Sequence, residues 1–103
     1  MNSSLGEANV NVNLGHLVSK LEEYENARGH YLEAQKLYEL GDHQTSLAYV
    51  FASLGVLSKK EGDYTKAKEY FEQARLIYQK LEMEDFVDDM GLKLEALENR
   101  IDK

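Results

Sequence analysis

Along most of the chain, apolar and small residues return every three or four positions. Tyr24, Ala27, Tyr31, Ala34 and Tyr38 form one such stripe, and Tyr64, Ala67, Phe71, Ala74, Tyr78 and Leu81 form another. Steps of three and four keep side chains on one face of an α-helix, so each stripe predicts an amphipathic helix with one packed side. A third stripe, Leu47, Val50, Phe51, Leu54 and Leu57, lies between them, bounded by Leu40-Gly41-Asp42 and Glu61-Gly62-Asp63. Gly41 and Gly62 suit the left-handed residue that ends a helix, and Asp42 and Asp63 suit the cap that starts the next one.

The stripes share more than a period. Sliding the chain by 40 residues brings Ala8, Val10, Leu14, Gly15, Leu17, Lys20, Tyr24, Ala27, Ala34 and Tyr38 onto Ala48, Val50, Leu54, Gly55, Leu57, Lys60, Tyr64, Ala67, Ala74 and Tyr78. These identities mark an internal repeat. An offset of 33 aligns Gly29-His30-Tyr31 and Ala34 with Gly62-Asp63-Tyr64 and Ala67, but loses most upstream matches and puts Gly41-Asp42 inside a helix. The 40-residue register is therefore adopted, although it leaves Gly29 in a helix interior as a candidate kink. It predicts helices over residues 8–21, 24–40, 44–60, 64–81 and 85–102. Leu94 and Leu97 of the last one continue the series of Leu54 and Leu57. The expected organisation is a flexible start (1–7), two helix pairs (8–41 and 42–81) and a C-terminal capping helix (82–103). Asn9-Val10-Asn11-Val12-Asn13 alternates like a strand and contains poor helix formers, so fraying is expected there.

Composition sharpens this picture. The 103 residues include no proline, the strongest helix breaker, and no cysteine, which excludes disulfides, a thiolate nucleophile and cysteine-based metal sites. Twelve Lys and Arg face nineteen Asp and Glu, a net charge of −7 that disfavours nucleic acid and anionic membrane surfaces. Apolar runs are too short to span a bilayer and the N-terminus lacks a secretory signal pattern, so a cytoplasmic protein is expected.

The segment Phe51, Leu54-Gly55, Gly62-Asp63-Tyr64, Ala67, Phe71 and Ala74 resembles the tetratricopeptide repeat, with that family's large, small and turn residues at its relative spacing. Gly55, Ala67 and Ala74 stand where a larger side chain would push helices apart, and Phe51, Tyr64 and Phe71 fill the gaps. The longer period resembles a 40-residue subclass in which a link such as Leu40-Gly41-Asp42 replaces the usual helix-ending proline. The first repeat departs from the pattern at Asn11, in place of a bulky aromatic, and at Glu22-Glu23, in place of the turn glycine and aspartate. The resemblance implies an all-α helical-hairpin solenoid of about two and a half repeats, either a small adaptor or a portion of a longer array.

It also implies a function. In this family the first helix of each pair lines a concave groove that holds an extended partner peptide. Carried over, the groove would present Asn9, Val12, Asn13, His16, Ser19 and Lys20, then Tyr49, Ala52, Ser53, Val56, Lys59 and Lys60, then Leu92, Lys93, Ala96, Asn99 and Arg100. Lys20, Lys60 and Arg100 fall 40 residues apart. Such a basic row, with Lys59 and Lys93, would attract an acidic or C-terminal carboxylate-bearing peptide, with Val12, Tyr49 and Val56 in apolar contact. Lysines near a helix C-terminus also complement its dipole, a structural origin for the same pattern. Chaperone-binding members use Lys and Asn at positions that Val12 and His16 occupy here, so that activity is not implied.

Two features remain. Val87, Met90, Leu94, Leu97 and Ile101 have the spacing of a coiled-coil seam, which suits either a helix folded onto the fourth one or, with Phe86, a homodimer contact. The acidic run from Glu82 to Asp89 lacks the ligand order of a calcium loop and reads as a solvated helix start. His16, His30 and His43 belong to no catalytic or metal-binding motif. The expectation is a non-catalytic interaction module without cofactor or metal, its partner a protein or peptide.

Overall fold

The computed structural model describes the backbone of residues 4–101 and the side chains of residues 4–100. Five helices account for nearly all of them: α1 (Ser4–Lys20), α2 (Tyr24–Leu40), α3 (Gln44–Lys60), α4 (Tyr64–Lys80) and α5 (Glu84–Ile101). Starts at residues 4, 24, 44, 64 and 84 make each helix and its link half of the 40-residue repeat. Pairs α1/α2 and α3/α4 are packed hairpins, α2 joins them through α3, and α5 lies on α4.

All four links use one turn. Its second residue takes a left-handed conformation: Glu22 (φ 62°), Asp42 (56°), Gly62 (85°) and Glu82 (58°). The third residue then donates its N–H back into the preceding helix, from Glu23 to the Val18 carbonyl, His43 to Tyr38, Asp63 to Ser58 and Met83 to Tyr78, at 2.9–3.0 Å. This closes the orphan carbonyls of each helix end. The expectations for Gly62 and Asp63 hold, the Asp63 carboxylate accepting from the Lys66 N–H at 3.1 Å. Those for Gly41 and Asp42 do not. Gly41 stands one position early, at φ −92°, and Asp42 takes the left-handed place while His43 occupies the cap position without a capping side-chain bond. Gly41 serves another purpose, since a Cβ there would lie 2.7 Å from the His43 ring.

The helix start also differs from expectation. α1 begins at Ser4, so residues 4–7 are helical, and the strand-like Asn-Val alternation is wound into the helix. Tertiary contact overrides local propensity here, because winding buries Ala8 completely and Val12 to 6% exposure. Residues 1–3, 102 and 103 lie outside the described residues.

Two interlocking contacts hold the hairpins together, and the repeat relates them. Gly15 faces the Tyr31 ring in the first pair, and Gly55 faces the Phe71 ring in the second. Where Phe51 stacks on Tyr70 (6.3 Å between centroids), the first repeat has a hydrogen bond in which His30 Nδ1 donates to Asn11 Oδ1 at 3.1 Å. A polar pair thus replaces an aromatic one, which accommodates the departure at Asn11. The Arg28–Glu61 ion pair ties α2 to the link after α3.

α5 packs against α4. Met90, Leu94 and Leu97 are buried and Val87 is partly buried, all within the one core cluster that includes α4. The spacing that matched a dimer seam is therefore satisfied inside the chain, and these residues are not free to meet a second copy; the Ile101 side chain lies outside the described ones. Phe86 instead stacks on Tyr78, 4.9 Å between centroids.

Gly29 produces no kink. α2 runs unbroken, and a Cβ added at Gly29 would meet nothing within 4 Å. Gly29→Ala should therefore stabilise the protein by about 0.5–1 kcal/mol through reduced freedom of the unfolded chain. A raised urea midpoint with an unchanged slope is the expected reading.

Candidate functional site

α1, α3 and α5 direct side chains toward a common concavity, with Tyr31 of α2 and Tyr78 of α4 reaching in from behind. One part, of about 460 Å3, is lined by His16, Lys20, Tyr49, Ser53, Val56, Lys60, Phe86, Asp89 and Lys93, with Ser19 and Ala52. A second part, of about 520 Å3, is lined by Asn9, Val12, Asn13, Tyr38, Thr45 and Ser46. Tyr49, Tyr78 and Phe86 border both, so the two are sections of one groove.

The repeat register thus brings together twelve of the seventeen expected groove residues; Lys59, Leu92, Ala96, Asn99 and Arg100 are the exceptions. Arg100 turns away from the groove, donating to the Tyr64 hydroxyl at 2.9 Å with its guanidinium 5.4 Å from that ring's centre. An aromatic face and a phenol oxygen satisfy the cation at the start of α4. The row of Lys20, Lys60 and Arg100 is accordingly cut to its first two members. Lys59 lies a helical step of about 100° from Lys60 and lines neither section, nor do Leu92, Ala96 and Asn99. Val12 does line the groove, but at 6% exposure it belongs to the α1/α2 core more than to a contact surface.

At the centre of the groove, His16 joins three helices. Its Nδ1 lies 2.6 Å from the Tyr31 hydroxyl and its Nε2 3.0 Å from the Tyr49 hydroxyl. A neutral imidazole has one donor and one acceptor nitrogen, so one phenol donates to the ring and the other accepts from it. The surroundings favour that neutral form. Burial, then the charges of Lys20 and Lys60, hold His16 below its ordinary value of 6.5. Burial, then Tyr49, pushes the Tyr31 phenol up to about 12, so it keeps its proton. Farther along, the Tyr38 hydroxyl donates to Asn9 Oδ1, and the Ser53 hydroxyl donates to the Tyr49 carbonyl at 3.0 Å.

A pH dependence follows. With the folded value below the unfolded one, the unfolded chain binds a proton that the native chain refuses in the interval below pH 6.5. Stability then falls as pH drops through that window. Besides Lys20 and Lys60, the titratable residues lining this part of the groove are Tyr31, Tyr49, Tyr78, Asp89 and Lys93. The wild type should therefore lose more melting temperature than His16→Gln between about pH 7.5 and 5. Parallel losses would show that His16 does not contribute.

The rim is cationic and the floor aromatic. Lys20 and Lys60 have no ion-pair partner among the described residues, whereas Lys93 lies 3.6 Å from Asp89, one turn earlier. Tyr49, Val56 and Phe86 are 48%, 38% and 46% exposed. Tyr31, Tyr38, Tyr78, Phe86 and Asp89 are groove residues that the sequence reading did not assign. A signal for the first three was present: a tyrosine in a buried stripe requires a partner for its hydroxyl, which Phe71 at the matching position does not. Among the described residues, no three His, Asp or Glu side chains are grouped to hold a metal ion, and no helix is long and apolar enough to cross a membrane.

No curated protein matches the chain in sequence. Among solved structures, the crystal structure of BtubC (BKLC) from P. vanneervenii superposes with a TM-score of 0.63 at 18% identity, a likeness of fold alone. The match covers 92% of this chain but only 48% of that one, so the chain spans about half of its neighbour's length. The tetratricopeptide repeat model matches residues 6–80, covering both hairpins whose glycine-to-ring contacts and paired turns were described above. The chain belongs to the tetratricopeptide repeat family.

Proposed function

We propose that this protein is a non-catalytic interaction module that holds an acidic peptide segment, or a peptide's C-terminal carboxylate, in the groove lined by α1, α3 and α5. Tetratricopeptide repeats generally mediate protein–protein interaction, and the finer reading comes from the groove itself. The observation that carries it is the pairing of unneutralised Lys20 and Lys60 with a half-exposed aromatic floor at Tyr49 and Phe86. On a chain of net charge −7, a local cationic rim steers an anionic segment to one place and disfavours it elsewhere. The aromatic floor supplies apolar contact at little entropic cost, and the His16 hydrogen bonds hold Tyr49 in position.

The test is selection from a random peptide library with free C-termini, followed by titration of the strongest peptide. Acidic sequences with an apolar anchor should be enriched, and Lys20→Glu/Lys60→Glu should weaken binding at least tenfold, about 1.4 kcal/mol. Added salt should weaken the wild-type complex as well. Equal affinity for the reversed variant, or amide shifts confined to the outer faces of α2 and α4, would remove the reading.

A further inference from the structure

The repeat register also exposes what α1 leaves uncovered. Val10, Leu14 and Leu17 match Val50, Leu54 and Leu57 at an offset of 40, yet they are 57%, 38% and 57% exposed where their counterparts are 0%, 0% and 1%. Leu94 and Leu97, a further 40 residues on, are again buried at 6% and 0%. In α3 and α5 this face is covered by the helix that precedes it; among the described residues, α1 has no such helix before it. Leu21, 63% exposed, extends the stripe one more turn.

The composition of α1 agrees with a covered face. From Ala8 to Ser19 it contains no Asp, Glu, Lys or Arg, and Glu7 and Lys20 stand near its ends. With Ala8, Val12 and Gly15 buried on one side and Val10, Leu14 and Leu17 opposite, the helix is apolar on two sides. Helices of that kind are ordinarily enclosed. The other end of the protein is built differently. Ala48, Phe51, Gly55 and Ser58, the α3 face that meets α4, correspond in α5 to Asp88, Gly91, Glu95 and Glu98, of which the three acidic residues are exposed. Such a polar face is suited to solvent and not to an apolar helix face.

We propose that the outer face of α1 is a self-association surface, on which a second copy packs its own α1 about a two-fold axis. The unlike ends decide this arrangement. Head-to-tail stacking would press Val10, Leu14 and Leu17 onto the acidic face of α5, so it is disfavoured. Contact between two α1 faces is self-complementary, free of acidic residues along the stripe, and closes at two copies. The steps of four, three and four from Val10 to Leu21 are those of a helix-pair seam. Four partly exposed side chains amount to a few hundred Å2, less than the roughly 800 Å2 per partner of a standard interface. The dimer is accordingly a weak one, and it does not depend on the groove or its peptide.

Sedimentation equilibrium of the full chain from about 10 µM to about 1 mM tests this. The expected result is a mass that rises to twice the monomer's and stops there. Leu17→Glu should abolish the rise while leaving the helical circular dichroism and melting temperature unchanged, since the residue is mostly exposed. Because the chain has no cysteine, Leu14→Cys offers a geometric check. Oxidation should give a disulfide-linked pair at least tenfold faster than Leu92→Cys, which is 66% exposed on α5. A monomer throughout the range, growth beyond two copies, Leu17→Glu without effect, or equal crosslinking at the two positions would each overturn the proposal.

Discussion

Phe71→Ala is expected to destabilise the protein by about 3–5 kcal/mol, enough to consume most of the margin of a small domain. Phe71 is 1% exposed and its ring lies against Gly55, where α3 and α4 meet. Removing the ring takes away its buried area and leaves a gap that neither helix backbone can fill, since each is already held by its own hydrogen bonds. The consequence spreads along the array. In a stack of about two and a half repeats each unit draws its stability from its neighbours, so loosening α3/α4 also withdraws support from α2 and α5. Chemical denaturation followed by circular dichroism should show the midpoint collapsing, with Phe71→Leu much milder because it refills most of the volume. A loss below about 1 kcal/mol would mean that the interlock is not central to the fold.

Gly55→Ala should act on the same contact from the opposite side. A Cβ at residue 55 would lie 2.6, 2.8 and 2.9 Å from three atoms of the Phe71 ring. All three belong to a ring that is 1% exposed and has little room to move, so the ring or the helices must shift. Overpacking of this kind costs about 1–3 kcal/mol, which outweighs the gain of about 1 kcal/mol that alanine brings to a helix interior. The sign is thus opposite to that of Gly29→Ala, the same chemical change in the open. In a Phe71→Leu background the Gly55→Ala penalty should shrink, and that non-additivity is the measurement that assigns the effect to this contact. Gly15→Ala should behave alike against Tyr31, with a Cβ at 2.5 Å from its ring. There the displaced ring also carries the hydroxyl bonded to His16, so the substitution should disturb the groove as well as the core.

Much of this was legible from spacing alone because helix periodicity and repeat register are local properties. A stripe such as Tyr64 to Tyr78 identifies the buried face of α4 without any tertiary information. The 40-residue offset then predicts which residues share a position, and the resemblance to the tetratricopeptide repeat adds that Asn9, His16, Tyr49, Val56 and Lys60 line one surface. The register carries a position forward but not the direction of a long side chain. Arg100 shows the difference: it occupies the place of Lys20 and Lys60, yet the Tyr64 ring offers its guanidinium a better partner than open solvent does. Likewise the left-handed turn fell on Asp42 instead of Gly41, since the link length sets that position whatever residue fills it.

By itself, the sequence determined the all-α class, the number of helices, the repeat length and the buried stripes, for these depend on contacts within a few residues and on side-chain period. Only the tertiary structure decided how each stripe is used. The same Val-Leu-Leu pattern is buried in α3 and exposed in α1, and the seam-like stripe of α5 is occupied by its own chain. Burial depends on whether another helix lies alongside, and no residue encodes its neighbour's presence. His16 states the point most plainly: one of three histidines that belong to no motif, it becomes the centre of the groove because folding brings hydroxyls from α2 and α3 onto its two nitrogens.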